Sequence, residues 1–326
     1  MKQRQFAGVP IGDIGLGCWQ IGGSWGEVAE DDAMAILRAA YANGTTFFDT
    51  ADVYGMGRSE SLIGRWLRED RPEGVFVATK QGRFSPPGWP ENFTLATMRA
   101  HVDASRERLG MQALDLVQLH CIPTDALRDG AVFDHLRTLR AEGRIARFGA
   151  SVESMDEALL CLEQDGISSL QILFNLFRPK PARVLFDRAQ EKGVALIARV
   201  PLASGLLAGR FRGDSTFAET DHRNFNRDGA AFHVGETFAG VPFAEGVALA
   251  EQLRDFVPDG LTMAQMALRW ILDHPAVSVV IPGASTVAQA ERNSAISDLP
   301  ELPEELHQQL TDWAVANAEP LVRGGY

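Results

Sequence analysis

Cysteine is scarce in this chain: Cys18, Cys121 and Cys161 are the only three in 326 residues. An odd count without paired metal spacing argues against a disulfide framework or a zinc site and fits reduced thiols. Long apolar runs are missing too. Nowhere do ~18 consecutive apolar residues occur, the length a membrane-spanning helix needs. The opening Met1-Lys2-Gln3-Arg4-Gln5-Phe6 lacks the apolar stretch of a signal peptide, so the expectation is a soluble, cytoplasmic protein with no membrane partner. Positive charge is the third deficit, with 31 Lys and Arg against 43 Asp and Glu and a formal net charge of −12. That balance argues against a broad basic face for nucleic acid but leaves room for a few cations around a phosphorylated ligand. His101, His135, His233, His274 and His307 show no metal-ligand spacing, and there is no Gly-x-Ser-x-Gly elbow. No required metal and no serine-hydrolase chemistry are therefore expected. No low-complexity linker or solenoid repeat divides the chain, so residues 1–326 read as one domain.

What is present is a regular alternation. Short apolar segments near 14–17, 46–49, 75–79, 115–119, 145–150, 169–174, 194–200 and 277–281 read as buried parallel strands. Each is followed by a helical pattern. The first opens on Asp31-Asp32 and stops at Asn43-Gly44, as the helix dipole and the C-cap favour; the others lie near 59–68, 95–109, 132–141, 155–164, 181–192, 262–273 and 286–295. Eight strand–helix units predict the α/β class and a (β/α)8 TIM barrel, a fold of ~250 residues plus insertions. A Rossmann unit would need a third glycine in its turn, and Gly15-Leu16-Gly17-Cys18-Trp19-Gln20 has none. Three segments break the rhythm: 85–92, 202 to about 242, and the last ~30 residues. All are expected at or near the C-terminal rim, where long barrel loops usually carry function.

Three of the strands end in an ionisable group. Asp49 closes Thr46-Phe47-Phe48-Asp49, Lys80 closes Val75-Phe76-Val77-Ala78-Thr79-Lys80, and His120 closes Asp115-Leu116-Val117-Gln118-Leu119-His120; Tyr54 follows Asp49 on the same loop. Proton transfer to a carbonyl oxygen calls for these types together. A free tyrosine has a pKa near ~10, which a neighbouring ammonium lowers. Lys80 supplies that charge, Asp49 pairs the buried ammonium, and His120 orients the substrate oxygen.

These four residues resemble the catalytic tetrad of the aldo-keto reductase superfamily. Further matching segments follow in family order: Gly15-Leu16-Gly17-Cys18-Trp19, Phe48 to Gly55, Gln171 to Leu176, Pro201-Leu202-Ala203-Ser204-Gly205 and Ile281-Pro282-Gly283-Ala284. The resemblance covers nearly the whole chain. It implies an NADP(H)-dependent oxidoreductase, with NAD(H) as the other possibility, that reduces an aldehyde or ketone or oxidises the alcohol. Tyr54 would be the general acid or base. It also implies a runner-up, a redox-sensing nicotinamide-binding partner subunit without turnover.

The same resemblance implies the cofactor contacts. Cys18, Trp19 and Asp49 belong to the first strand ends, and Ser151 and Gln171 match the carboxamide positions, with Val152 where the family often has Asn. Arg199 stands where an aromatic ring often stacks on the nicotinamide. Pro201, Leu202, Ser204 and Gly205 match the pyrophosphate segment, and Arg210 replaces its usual lysine. Gly283, Ser285, Gln289, Arg292 and Asn293 match the segment around the adenosine 2′-phosphate and adenine, which would face the start of a helix. The polar stretch 221–228 is a candidate to fold over the cofactor. Substrate contacts are expected from Trp19, Tyr54, Trp89, His120 and Phe225, with Trp25 and Phe84 as further loop aromatics. Polar rim residues and indoles suit a sugar-like or otherwise hydroxylated compound. The oligomeric state is open.

Overall fold

The computed structural model describes residues 1–23 and 28–326; Trp25 lies outside the described residues. Eight parallel strands form one sheet: β3 (Leu16–Gly17), β4 (Phe47–Asp49), β5 (Phe76–Gln81), β6 (Leu116–His120), β7 (Phe148–Ser151), β8 (Ser169–Leu173), β9 (Ala195–Arg199) and β10 (Val277–Val280). Each pairs with its sequence neighbour, and parallel bridges Ile14 to Val280 and Gly17 to Gly283 join the last strand to the first. Gly15 N–H donates to the Val280 carbonyl at 2.8 Å and Val280 N–H to that of Asp13 at 3.1 Å, which closes the barrel.

Ahead of the barrel lies a hairpin that the strand pattern did not reveal, β1 (Gln3–Phe6) and β2 (Val9–Gly12). Phe6 pairs with Val9 across a two-residue turn, Ala7-Gly8, with φ of 46° and 83°. Positive φ at both positions is the tight-hairpin geometry that suits the strand twist. Its buried Phe6 and Ile11 pack with Phe47, Phe76, Leu116, Ile197 and Val279. The rings of Phe6, Phe47 and Phe76 lie 5.1–5.3 Å apart, plugging the N-terminal end of the barrel. The opposite strand faces, Phe48, Val77, Val117, Leu170 and Leu196 among them, join the larger core between barrel and helices.

This two-residue period is what positions the site. Where Phe47, Phe76 and Leu116 point into the barrel, so do Asp49, Lys80 and His120 further along the same strands. The helices fall close to the expected spans, for example Leu95–Leu109 and Met263–Leu272. The 202–242 stretch folds as short turns of helix, Ala203–Ala208, His222–Phe225, Val234–Glu236 and Phe238–Gly240. No helix among the described residues is long and apolar enough to cross a membrane.

Candidate active site

At the C-terminal end of the barrel, Lys80 is almost fully buried and all three of its N–H donors are used. Nζ lies 2.5 Å from Asp49 Oδ2, 2.9 Å from the Thr50 carbonyl and 3.2 Å from the Tyr54 hydroxyl. Asp49 is satisfied on its other oxygen by Gln171 Nε2 at 2.7 Å and by Gln118 Nε2 at 3.4 Å. A buried charge held this way is fixed in place. Burial alone disfavours the ammonium, but Asp49 and then Tyr54 outweigh it and raise the Lys80 pKa.

Tyr54 is held by close backbone packing. A Cβ on Gly22 would strike the Tyr54 backbone, and one on Gly55, whose φ is +62°, would strike the Gly22 carbonyl. Only glycine lets the Trp19–Gly22 turn press on this loop. Trp19 stacks on the Tyr54 ring at 5.8 Å and 18°, and His120 meets its edge at 5.8 Å and 84°. The expectation that Lys80 brings the phenol below its ordinary value needs correction. Burial pushes Tyr54 up to about 12; Lys80 pulls it down, while Asp49 and Glu236 push it further up. The phenol is therefore a neutral acid with an ammonium behind it. His120 is held well below its ordinary value by burial and by Arg83, Lys80 and Arg199, so its imidazole is neutral.

Tyr54, His120, Trp19 and Glu236 stand at the junction of two cavities. One, of about 310 Å³, runs past Asp49, Ser151, Gln171 and Arg199 to Pro201, Leu202, Ser204 and Gly205, and past Gly283, Ser285 and Gln289. Twelve of the sixteen expected cofactor positions are in this lining. Its floor is bare backbone at Gly17 and Gly283, where a Cβ would meet Ile281 O and the Gln20 side chain. Val200, Ala203, Ser204 and Gly205 all take positive φ, bending the chain around it. An extended groove with a backbone floor, an arginine at one wall and hydroxyl and amide side chains at one end fits a dinucleotide.

Four positions fall elsewhere. The Cys18 thiol is turned into the core and bonds the Leu16 carbonyl. Arg210 and Arg292 are exposed and line neither cavity, because their backbones lie beyond the turn at Gly209 and on the outer side of the helix Val287–Ala295. Asn293 holds the loop from behind, donating to Gly283 O at 3.2 Å. Besides Arg199, the cavity wall holds Arg223, paired with Asp221 at 2.6 Å, from the polar 221–228 stretch. Arg199 is not a free planar group. Its Nη1 lies 2.5 Å from Glu236 Oε2 and its Nη2 3.0 Å from the Val152 carbonyl.

The other cavity, about 790 Å³, extends from Tyr54 and His120 between Trp19, Trp89 and Phe232 to Arg83, Glu153 and His233. Phe225, expected here, is 42% exposed and outside the lining; its ring packs edge-on against Phe232, which takes that place. Sequence reasoning also missed Arg83, Glu153 and Glu236. Glu236 lies in the flagged 202–242 stretch, but nothing in its local pattern points to a partner 37 positions away. Cys121, Glu153 and Glu236 bring candidate ligand atoms within 4.8 Å of one another. Arg83 and Arg199 already pair both carboxylates there.

The Aldo/keto reductase family model matches residues 13–314. An uncharacterized oxidoreductase of Mycobacterium tuberculosis is 33% identical over 325 residues, covering 97% of this chain and 94% of that protein. The holo form of an aldo-keto reductase from Bacillus halodurans superposes with a TM-score of 0.79 at 25% identity, covering 100% of this chain and 98% of that one. An aldo/keto reductase from Klebsiella pneumoniae, solved in complex with NADP and acetate, superposes at 0.71 and 25% identity, covering 99% and 98%. The chain belongs to the aldo/keto reductase family and is an NAD(P)-dependent oxidoreductase.

Proposed function

We propose that this protein reduces an aldehyde or ketone to the alcohol with NADP(H), or runs the reverse reaction, and that Tyr54 is the proton donor. The observation that carries this is the junction: Tyr54 and His120 line both cavities, so a molecule in each would meet at the phenol. When bound, the nicotinamide supplies the hydride. The chain's own residues do the rest. Tyr54 accepts a hydrogen bond from Lys80, and its own proton has no acceptor among the described residues. It is free to go to a substrate oxygen in the cavity. The phenolate left behind is stabilised by the ammonium already in contact with it, without reorganisation. Neutral His120 donates a hydrogen bond to the same oxygen and sets its direction, and Asp49 keeps Lys80 charged and in place. Trp19 covers the phenol and limits water.

For the cofactor, Ser151, Gln171, Ser204, Gly205, Ser285, Gln289 and Arg223 would hold the dinucleotide. We favour NADP(H) over NAD(H), in keeping with the NADP complex of the Klebsiella relative. The test is NADPH consumption by the purified protein over a panel of aldehydes, ketones and sugars, with product identified by mass. Turnover with stoichiometric alcohol supports the reading. NADPH that binds tightly and is consumed by none of them would favour the redox-sensing partner subunit instead.

A further inference from the structure

The larger cavity has a polar far wall whose chemistry the proposed reaction does not use. Arg83 follows β5, Cys121 follows β6 and Glu153 follows β7, so three adjacent strand ends build that wall, two of them the ends of the strands that carry Lys80 and His120. Arg83 Nη2 lies 3.0 Å from Glu153 Oε1 and 3.4 Å from the Cys121 carbonyl. Its Nε and Nη1 donors, and Glu153 Oε2, make no hydrogen bond among the described residues. The two side chains are 21% and 18% exposed, and both line the cavity.

Both are held from behind. Asn92, 1% exposed, donates to the carbonyls of Gly82 and Phe84 at 3.1 and 2.7 Å, pinning the chain on either side of Arg83. Glu157 accepts from the Glu153 backbone N–H at 3.0 Å and is itself committed to the helix cap and to Thr124. The pair is preorganised, and such a pair loses little freedom on binding.

We infer that Arg83 and Glu153 are specificity-determining residues that read hydroxyl groups, and that the substrate is a neutral, polyhydroxylated carbonyl compound of short to medium chain. This deepens the proposed carbonyl reduction and rests on it. An ion pair with donors and an acceptor to spare suits groups that both give and take a hydrogen bond, and adjacent hydroxyls span such a fork. A substrate anion would face Glu153 with Glu236 behind it, and a substrate cation would face Arg83 with Arg199 behind it. Between the wall and Tyr54 stand Trp19, Trp89 and Phe232, flat surfaces for the C–H faces of a hydroxylated chain.

The experiment compares kcat/KM, per free aldehyde, for glyceraldehyde against propanal and for erythrose against butanal, with succinic semialdehyde as the anionic control. Wild type, Glu153→Gln and Arg83→Met are run with NADPH. The expected result is a preference for the hydroxylated member of about tenfold, carried by KM, that collapses in both variants. The near-isosteric Glu153→Gln guards against a folding defect, and the wild-type ratios decide on their own. Equal values within the pairs, a better rate with succinic semialdehyde, or a preference untouched by both variants overturns the inference while carbonyl reduction stands. Absence of turnover with these aldehydes and with every ketone and sugar of the wider panel overturns the proposed reaction itself.

Discussion

The strand-end half of the site and the loop half are built differently. Asp49, Lys80, His120, Ser151 and Gln171 sit on β4 to β8, where register and a two-residue period set direction. Arg199 ends β9, but its partner Glu236, like Ser204 and Arg223, comes from the stretch after that strand, where tertiary packing sets direction. The first half is a rigid charge relay with every lysine donor filled. The second meets it through a buried ion pair whose two members belong to different elements. In the proposed reaction the proton transfer rests on what the barrel strands fix, while the stretch after β9 adds a wall to each cavity.

The largest expected effect tests the strand side. Tyr54→Phe should lose about 10²–10⁴-fold in carbonyl reduction while keeping cofactor affinity, measured by steady-state kinetics and by quenching of protein fluorescence. Adding Lys80→Met should cost far less than the product of the two single losses, because the pair acts as a unit. Near-normal turnover in a folded Tyr54→Phe protein would remove the phenol as the acid.

The next prediction crosses between the halves. Glu236→Gln leaves the buried Arg199 guanidinium without its counter-charge, and burial had been opposed there by that carboxylate. A loss of about 3 kcal/mol in unfolding free energy is expected in denaturant titration. An unchanged midpoint would mean that the ion pair is not the joint between loop and barrel.

Within the loop half the comparison is between residues that line the cavity and those that do not. Arg223→Ala should raise the NADPH dissociation constant about tenfold, the loss of one charge-assisted contact, whereas Arg210→Ala should change it less than about twofold. The reverse order would return the pyrophosphate to Arg210. A smaller contrast concerns aromatics: Phe232→Ala should raise KM about threefold to fivefold for carbonyl substrates with Phe225→Ala nearly silent, consistent with the partial loss of one ring contact. Equal effects would mean that the two rings act only as a packed pair.

The same division explains what the amino-acid order revealed. The eight barrel strands and most helices were legible because buried strands are short apolar runs and the period places Asp49, Lys80 and His120 on one side. The hairpin escaped because Val9-Pro10-Ile11-Gly12 is too short for a pattern, and its turn is recognised only by the two positive φ values at Ala7 and Gly8. Family resemblance pointed to Ser204, Gly205, Gly283 and Ser285, which line the smaller cavity, and it flagged the 221–228 stretch without singling out Arg223. The turn at Gly209 carries the next residue, Arg210, out to solvent, and the pairing of Asp221 with Arg223 holds a different arginine at the wall. The net direction of the Tyr54 shift also escaped, since burial, which no spacing reports, outweighs the lysine.

The central claim is that Tyr54 works as a neutral, buried acid supported by Lys80, and its pH dependence tests this most directly. A phenol held up at about 12 stays protonated through the working range, while the reverse reaction needs the phenolate. Burial and the surrounding cations keep His120 uncharged throughout, so it adds no break. Single-turnover rates should be measured in both directions from pH 6 to 10. The account predicts a flat rate of carbonyl reduction and a rate of alcohol oxidation that climbs about tenfold per pH unit. Reduction that falls through an inflection near pH 7 to 8, with oxidation levelling off above it, would show an ionised tyrosine and contradict the account.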